Sequence, residues 1–235
     1  MHDQWLLMLA IACLYLYDSA LLLFHNEVVF ETRGRSYVLS TGSEMQLRGK
    51  HLFVPNPCCP HRRLARLSWP DGGLADWRPA RWSRARPALA LIAPWTWLLL
   101  GLFFVALPLA LAFGTDVLLL AWLVLTYLSI VAMLAHVYHH RTALGLAPRA
   151  VLALAVDVLL CAPFALNIIR KISLRQASAA TLHGFALSML SPDERAILTT
   201  ALEARICTSL DHVEPDSEQA AALRACLNRY KDDLS

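Results

Sequence analysis

No phosphate-cradling loop, nucleophile elbow, paired zinc knuckle, dinucleotide fingerprint or kinase signature occurs in the 235 residues, which disfavours enzymes built on those chemistries. Charge is also scarce. Asp, Glu, Lys and Arg make up 17% of the chain and leave a formal net charge of +3, too little to suggest a nucleic-acid binder, and the basic residues stand beside apolar runs instead of forming a tail. The six cysteines form neither a CxxC pair nor a regular framework, so a disulfide scaffold is not expected. No internal repeat of the kind many secondary carriers show is present. Finally, no Lys or Arg precedes the first apolar run, which starts at Trp5 and exceeds a typical signal-peptide core; an uncleaved membrane helix is expected there.

What the chain does have is hydrophobicity, at 57% of residues with a mean hydropathy of +0.47, and it is clustered. Leu- and Ala-rich runs of roughly 20 residues match the length a helix needs to cross a hydrocarbon core of ~30 Å. Such runs lie at about Trp5 to Phe24, Ala88 to Phe113, Val117 to Tyr138 and Val151 to Ile169. The expected fold class is therefore an all-α integral membrane protein of about four transmembrane helices, with a small β-meander in the first loop and a helical C-terminal tail. The corresponding segments are 1–25 (first helix), 26–87 (basic Trp/Arg-rich loop), 88–139 (helical hairpin), 140–172 (connector and a fourth, transmembrane or re-entrant helix) and 173–235 (tail). Only Gly114, Thr115 and Asp116 separate the second run from the third, which forces an antiparallel hairpin.

The loop after the first run begins like a β-element. Glu27 to Thr32 and Ser36 to Ser40 flank the turn candidate Arg33-Gly34-Arg35, and His51 to Val54 is a third short run. Pro55 to Arg86 then combines prolines with Trp69, Trp77, Trp82 and seven arginines, a composition suited to a membrane surface. In the tail, Ser191-Pro192-Asp193-Glu194 is a capping box followed by Ile197, Leu198, Ala201, Leu202, Ile206 and Leu210 at helical spacing. A second tail helix is expected from Asp216 or Ser217, and a weaker one from Ser173 to Leu190.

Eleven of the 21 Lys and Arg residues lie between the first and second runs. The positive-inside rule then places that loop in the cytoplasm and the N-terminus outside. The fourth run conflicts with this, because a full crossing would carry Arg170, Lys171, Arg175 and the tail outside. A dip returning near Pro163 would keep every Lys and Arg cytoplasmic. The crossing is the primary expectation, on the strength of 19 mostly apolar residues.

Three groups of residues could carry chemistry. Asp18 and Asp157 are carboxylates within apolar runs, about 9 and 12 Å below the same face; together they could share a proton or recruit a cation, and singly each could satisfy a neighbouring polar group. His136, His139 and His140 share a helix face at i, i+3 and i+4 and are potential ligands for a transition metal or haem. The string His136-Val137-Tyr138-His139-His140 resembles a single histidine box of the membrane fatty-acid desaturases and hydroxylases. Those enzymes need several boxes, whereas the other histidines here are scattered singly. Without a metal, imidazoles at a helix C-terminus suit the helix dipole. Third, Pro57-Cys58-Cys59-Pro60-His61 places Cys58, Cys59 and His61 where they could join a metal site, be lipidated, or form a rigid turn.

The leading expectation is a non-enzymatic polytopic subunit of the bacterial cytoplasmic membrane that organises or anchors a larger assembly, with the bilayer and other membrane subunits as partners and no nucleic acid. Bacterial origin is read from compact loops and Ala/Leu/Arg-rich usage. The alternatives are a metal- or haem-handling protein built on the histidines, and a proton- or cation-coupled transporter component built on Asp18 and Asp157.

Overall fold

The turn at Gly114 organises the first of two units. Gly114 adopts φ 64°, a left-handed conformation that ends the preceding helix, and its N–H bonds to Ala110 O at 3.2 Å. The chain then reverses into α4 (Asp116–His139), with Asp116 in the first turn, where a carboxylate favours the helix dipole. Residues 2–69, 79–178, 180–211, 213–214 and 217–234 are described in this computed structural model. Trp77 in the basic loop, the helix start at Asp216 and the scattered His212 lie outside those residues.

The limb before the turn is α2 (Pro79–Gly101), a π-helical segment (Leu102–Ala106) and α3 (Leu107–Phe113). The π-segment has a local cause. Pro108 has no N–H to give the carbonyl four residues back, and the helix widens just before it so that Leu107 N–H closes on Leu102 O. That carbonyl also accepts the Trp122 indole N–H from α4 at 2.8 Å, tying the two limbs together at the bulge.

Among the described residues, two helical stretches are long and apolar enough to cross a membrane, Trp82–Phe113 and Asp116–His139. The surface they present is largely apolar. Only 33% and 28% of their apolar stretches are buried within the protein. The buried face of α4 includes Thr126 and Ser129 beside Ile130, Met133 and Val137, while Leu120, Val124, Leu128 and Val131 face outward. Apolar side chains stand on both the inward and the outward face, which is what a helix hydrophobic all round presents.

The expected four-span, all-α fold does not form. The first apolar run does not continue to Phe24: α1 (His2–Ser19) ends where the Ser19 hydroxyl donates to Leu16 O at 2.9 Å, and Leu21–Leu23 leave it as a strand. The fourth run is cut as well. Helix α5 (Pro148–Leu160) has 13 residues, about 20 Å at 1.5 Å each, short of a crossing. Cys161 leaves the helical region at φ −133°, ψ 88° and Pro163 cannot donate within the ladder. A 3-10 segment (Ala162–Asn167) follows and runs into α6 (Ile168–Ala177). The break falls at the dip considered above.

Within this unit, α1 runs antiparallel to the α2–α3 limb, Gln4 donating to Leu111 O at 3.1 Å near one end and Tyr15 stacking near Phe104 at 6.1 Å further along. Its core joins Ile11 and Tyr15 to Ile92, Phe103, Met133 and Leu154.

The second unit holds two three-stranded antiparallel sheets. In one, β2 (Glu27–Arg33) pairs with β3 (Ser36–Ser40) and with β6 (Leu64–Ser68); in the other, β5 (Lys50–Phe53) lies between β1 (Leu21–Leu23) and β4 (Gln46–Leu47). The β2–β3 hairpin occupies the two runs expected for it, with Gly34 at φ 66° in its turn. The third run instead joins the other sheet, Leu22 opposite Leu52. Arg66 on β6 pairs with Glu27 at 2.5 Å and donates to Leu22 O at 3.1 Å.

Helices α7 (Leu182–Met189), α8 (Pro192–Leu210) and α9 (Glu218–Leu234) complete this unit. Phe185 on α7 packs against Phe30 and Tyr37 with ring centroids 5.1 and 5.5 Å away. The capping box forms at the start of α8, and Glu194 additionally accepts the Tyr37 N–H of the sheet. Arg205 donates to Thr41 O at 2.7 Å and to His25; burial lowers its pKa from the ordinary guanidinium value. Ser191→Ala should therefore cost about 1 kcal/mol through the lost cap. Glu194→Ala should cost more, because it also strips an acceptor from a strand N–H. Denaturant unfolding of the full chain in detergent checks the order; equal costs would mean that the contact to Tyr37 contributes nothing.

Candidate functional site

Polar groups in the first unit gather at one place, where α1 ends and α6 begins. Asn167 is the hinge. It closes the 3-10 segment, is 1% exposed, and its amide donates to Tyr15 O at 3.1 Å and to Asp18 Oδ2 at 3.0 Å. Its carbonyl oxygen accepts from Arg170 Nη1 at 2.9 Å. One helical turn separates Asn167 from Arg170, so the amide and the guanidinium share a face.

Arg170 is 2% exposed, and a buried guanidinium requires acceptors on several sides. The Cys58–Cys59 turn supplies them. Asn56 O and Cys59 O accept from Arg170 Nη2 at 2.6 and 3.1 Å. The turn is held by Asn56 Oδ1, which accepts the Cys58 N–H at 2.9 Å, and by the Tyr15 hydroxyl, which donates to Pro57 O at 2.6 Å. The turn meets Arg170 through its backbone carbonyls.

Lys171 completes the cluster. Its ammonium lies 2.8 Å from Asp18 Oδ1, also pairs with Asp157 Oδ2, and sits 4.7 Å from the Phe164 ring centroid. Asp18 and Asp157, placed in one leaflet from sequence, are thus brought together, with a cation of the chain itself between them. Two carboxylates, Lys171 and Arg170 sum to zero formal charge, which keeps burial beside apolar helices tolerable. Sequence reasoning missed Lys171, Asn167 and Arg170 as members. Their i, i+3, i+4 spacing at the end of an apolar run was a usable signal, but the two cations were read as topology markers.

The histidine candidates make other contacts, while Cys58 and Cys59 stand in the turn that Arg170 binds through backbone carbonyls. His136 packs against Trp95 at 5.9 Å and His140 at 6.3 Å, and His139 meets His140 edge-on at 4.8 Å. His61 packs against Trp97 at 5.4 Å. Cys58 and Cys59 are free thiols, Cys58 exposed. Among the described residues, no group of three or more His, Cys, Asp or Glu side chains is arranged to hold a metal ion. Comparison of the chain with known protein families, curated proteins and solved structures gives no match.

Lys171→Met leaves two facing carboxylates without their cation and should destabilise the protein by about 3–5 kcal/mol. Asp157 is 41% exposed, so Asp157→Asn should cost about 1 kcal/mol or less. Adding Asp18→Asn to Lys171→Met should recover much of the loss. Thermal midpoints of the four proteins in one detergent test this; a Lys171→Met midpoint equal to that of Asp157→Asn would show that the triad contributes no stability.

Proposed function

We propose that the chain is a non-enzymatic membrane subunit that organises or anchors a larger assembly. The observation that carries the membrane part is the outward-facing apolar surface of the hairpin, in whose two apolar stretches only 33% and 28% of residues are buried within the protein. Water would hydrate that surface at a cost of roughly 25 cal/mol per Å²; lipid would not.

The scaffolding part rests on how the polar residues are engaged. Asp18, Asp157, Asn167, Arg170 and Lys171 bind one another and the 56–59 turn, joining α1, α5, α6 and that turn into one body. A carrier working through Asp18 and Asp157 would have to displace Lys171 at every cycle. A fixed, self-neutralised cluster suits a holder better than a pump.

The proposed setting is the bacterial cytoplasmic membrane, with the hairpin turn and the N-terminus outside and the basic loop inside. Gln4 bonds at the level of Leu111, close to the turn, which carries no Lys or Arg. By the positive-inside rule, Arg170, Lys171 and Arg175 would keep residues 174–235 on the same side as the basic loop.

Gentle solubilisation of native membranes, followed by identification of what travels with the protein, tests this reading. The expected result is recovery from the membrane fraction with a partner in constant ratio. Consistent isolation as a lone monomer at native abundance would remove the scaffolding role, and recovery in the soluble fraction would remove the membrane setting.

A further inference from the structure

The sheet of β1, β5 and β4 has two unlike faces. Along each strand successive residues alternate in direction, and residues opposite one another in a pair point to the same side. Leu23 is fully buried with Val29 and Leu64, and Leu21 and Phe53 pack against them, which marks the inner face. The opposed pairs Leu22 with Leu52 and Leu47 with Lys50 then share the outer face. There Leu47 is 54% exposed, Met45 just before β4 is 67% exposed, and Phe24 just after β1 is 48% exposed. The Lys50 ammonium sits 4.1 Å from the Phe24 ring centroid, so these two meet on that face.

Strands β4 and β5 are joined by the two-residue turn Arg48-Gly49, with φ 52° and 76°. Both are left-handed, the type I′ geometry that favours Asn and Gly. Among the described residues Arg48 alone, apart from glycines, has a positive φ. Its charge is therefore held at the tip against the preference of the backbone. Two cations thus flank exposed Leu47 and Phe24, and Glu44 is the acidic residue of the hairpin. Apolar side chains rimmed by Arg and Lys complement an anionic bilayer surface.

The covalent path brings such a surface within reach. Gln4 bonds to Leu111 O, three residues before the turn at Gly114. With that offset included, the end of α1 at Ser19 lies about 27 Å along the helix axis from the turn, close to the ~30 Å depth of a hydrocarbon core. Strand β1 begins two residues later, at Leu21. On the membrane reading above, the chain enters this sheet at the headgroup layer of the inner leaflet.

We propose that this sheet face docks on anionic phospholipid, with Phe24, Met45 and Leu47 dipping into the headgroup layer and Arg48 and Lys50 meeting lipid phosphates. The proposal rests on the membrane reading.

The test reconstitutes the full chain in phosphatidylcholine vesicles with and without phosphatidylglycerol. Two phospholipid probes are used, one photoactivatable in the headgroup and one in the acyl chain, and crosslinks are mapped by peptide mass spectrometry. Ile197 of α8, 60% exposed, is the reference for an apolar residue away from lipid. With phosphatidylglycerol present, headgroup-probe labelling at Phe24, Met45 and Leu47 should exceed that at Ile197 by about fivefold or more, the gain in partitioning that one cation contributes at an anionic surface. Arg48→Gln combined with Lys50→Gln should reduce it to the level seen in phosphatidylcholine alone; undiminished labelling would overturn the phosphate contacts. Hairpin labelling no higher than that of Ile197, while Leu120, Val124 and Leu128 of α4 take the acyl probe, overturns the docking and leaves the membrane reading standing. An α4 that takes no acyl probe overturns the membrane reading and the proposal with it. The wild-type ratio decides the docking even if the variant fails to fold.

Discussion

Lys171 sits where three segments would otherwise repel or drift apart. Asp18 ends α1, Asp157 lies in α5, and Lys171 begins α6; its ammonium is the contact that holds the two carboxylates in one place. Next to it, Asn167 passes the arrangement to Arg170, and Arg170 fixes the turn at residues 56–59 through two carbonyls. Charges buried beside apolar helices are expensive to leave uncompensated. Here formal charge balances inside the cluster, which lowers the cost of bringing the segments together.

The same economy of polar groups governs the hairpin. Its limbs are tied by Trp122, which bonds to Leu102 O and meets the Phe103 ring, while Leu120, Val124, Leu128 and Val131 of α4 face outward. A π-segment placed by Pro108 supplies that carbonyl. Helix α5 rises only 13 residues beside α4, with Tyr127 bonding near its end at Leu159 O, before the chain turns back at Cys161. The return is what brings Asn167 and Lys171 back to the level of Asp18.

Much of this could be read from residue order. The hairpin follows from a three-residue gap, the start of α8 from Ser191-Pro192-Asp193-Glu194, and β2 and β3 from two β-branched runs around Gly34. The shared depth of Asp18 and Asp157 could be counted in residues. Other features were hidden by averaging. Leu21–Leu23 looked like the last turn of a membrane helix, because hydropathy does not separate a buried strand from a helix end; its partner Lys50–Phe53 lies 30 residues away. The fourth run, 19 mostly apolar residues, favoured a full crossing over a dip near Pro163, whose ring cannot donate a backbone bond. Lys171 was legible as a charge but not as a partner, because its carboxylates lie 14 and 153 residues earlier.

A two-limbed hairpin with a returning α5 differs from a four-span bundle in one directly observable respect, the side on which the tail emerges. Single-cysteine variants carrying only Cys58, only Cys207 or only Thr115→Cys can be exposed to a membrane-impermeant thiol reagent in intact cells; Cys58 and Cys207 are both exposed on the protein surface. The expected result is labelling of residue 115 from outside and of Cys58 and Cys207 only after permeabilisation. Labelling of Cys207 from outside while Cys58 remains protected would contradict it, because the chain would then cross the membrane between Tyr138 and the tail.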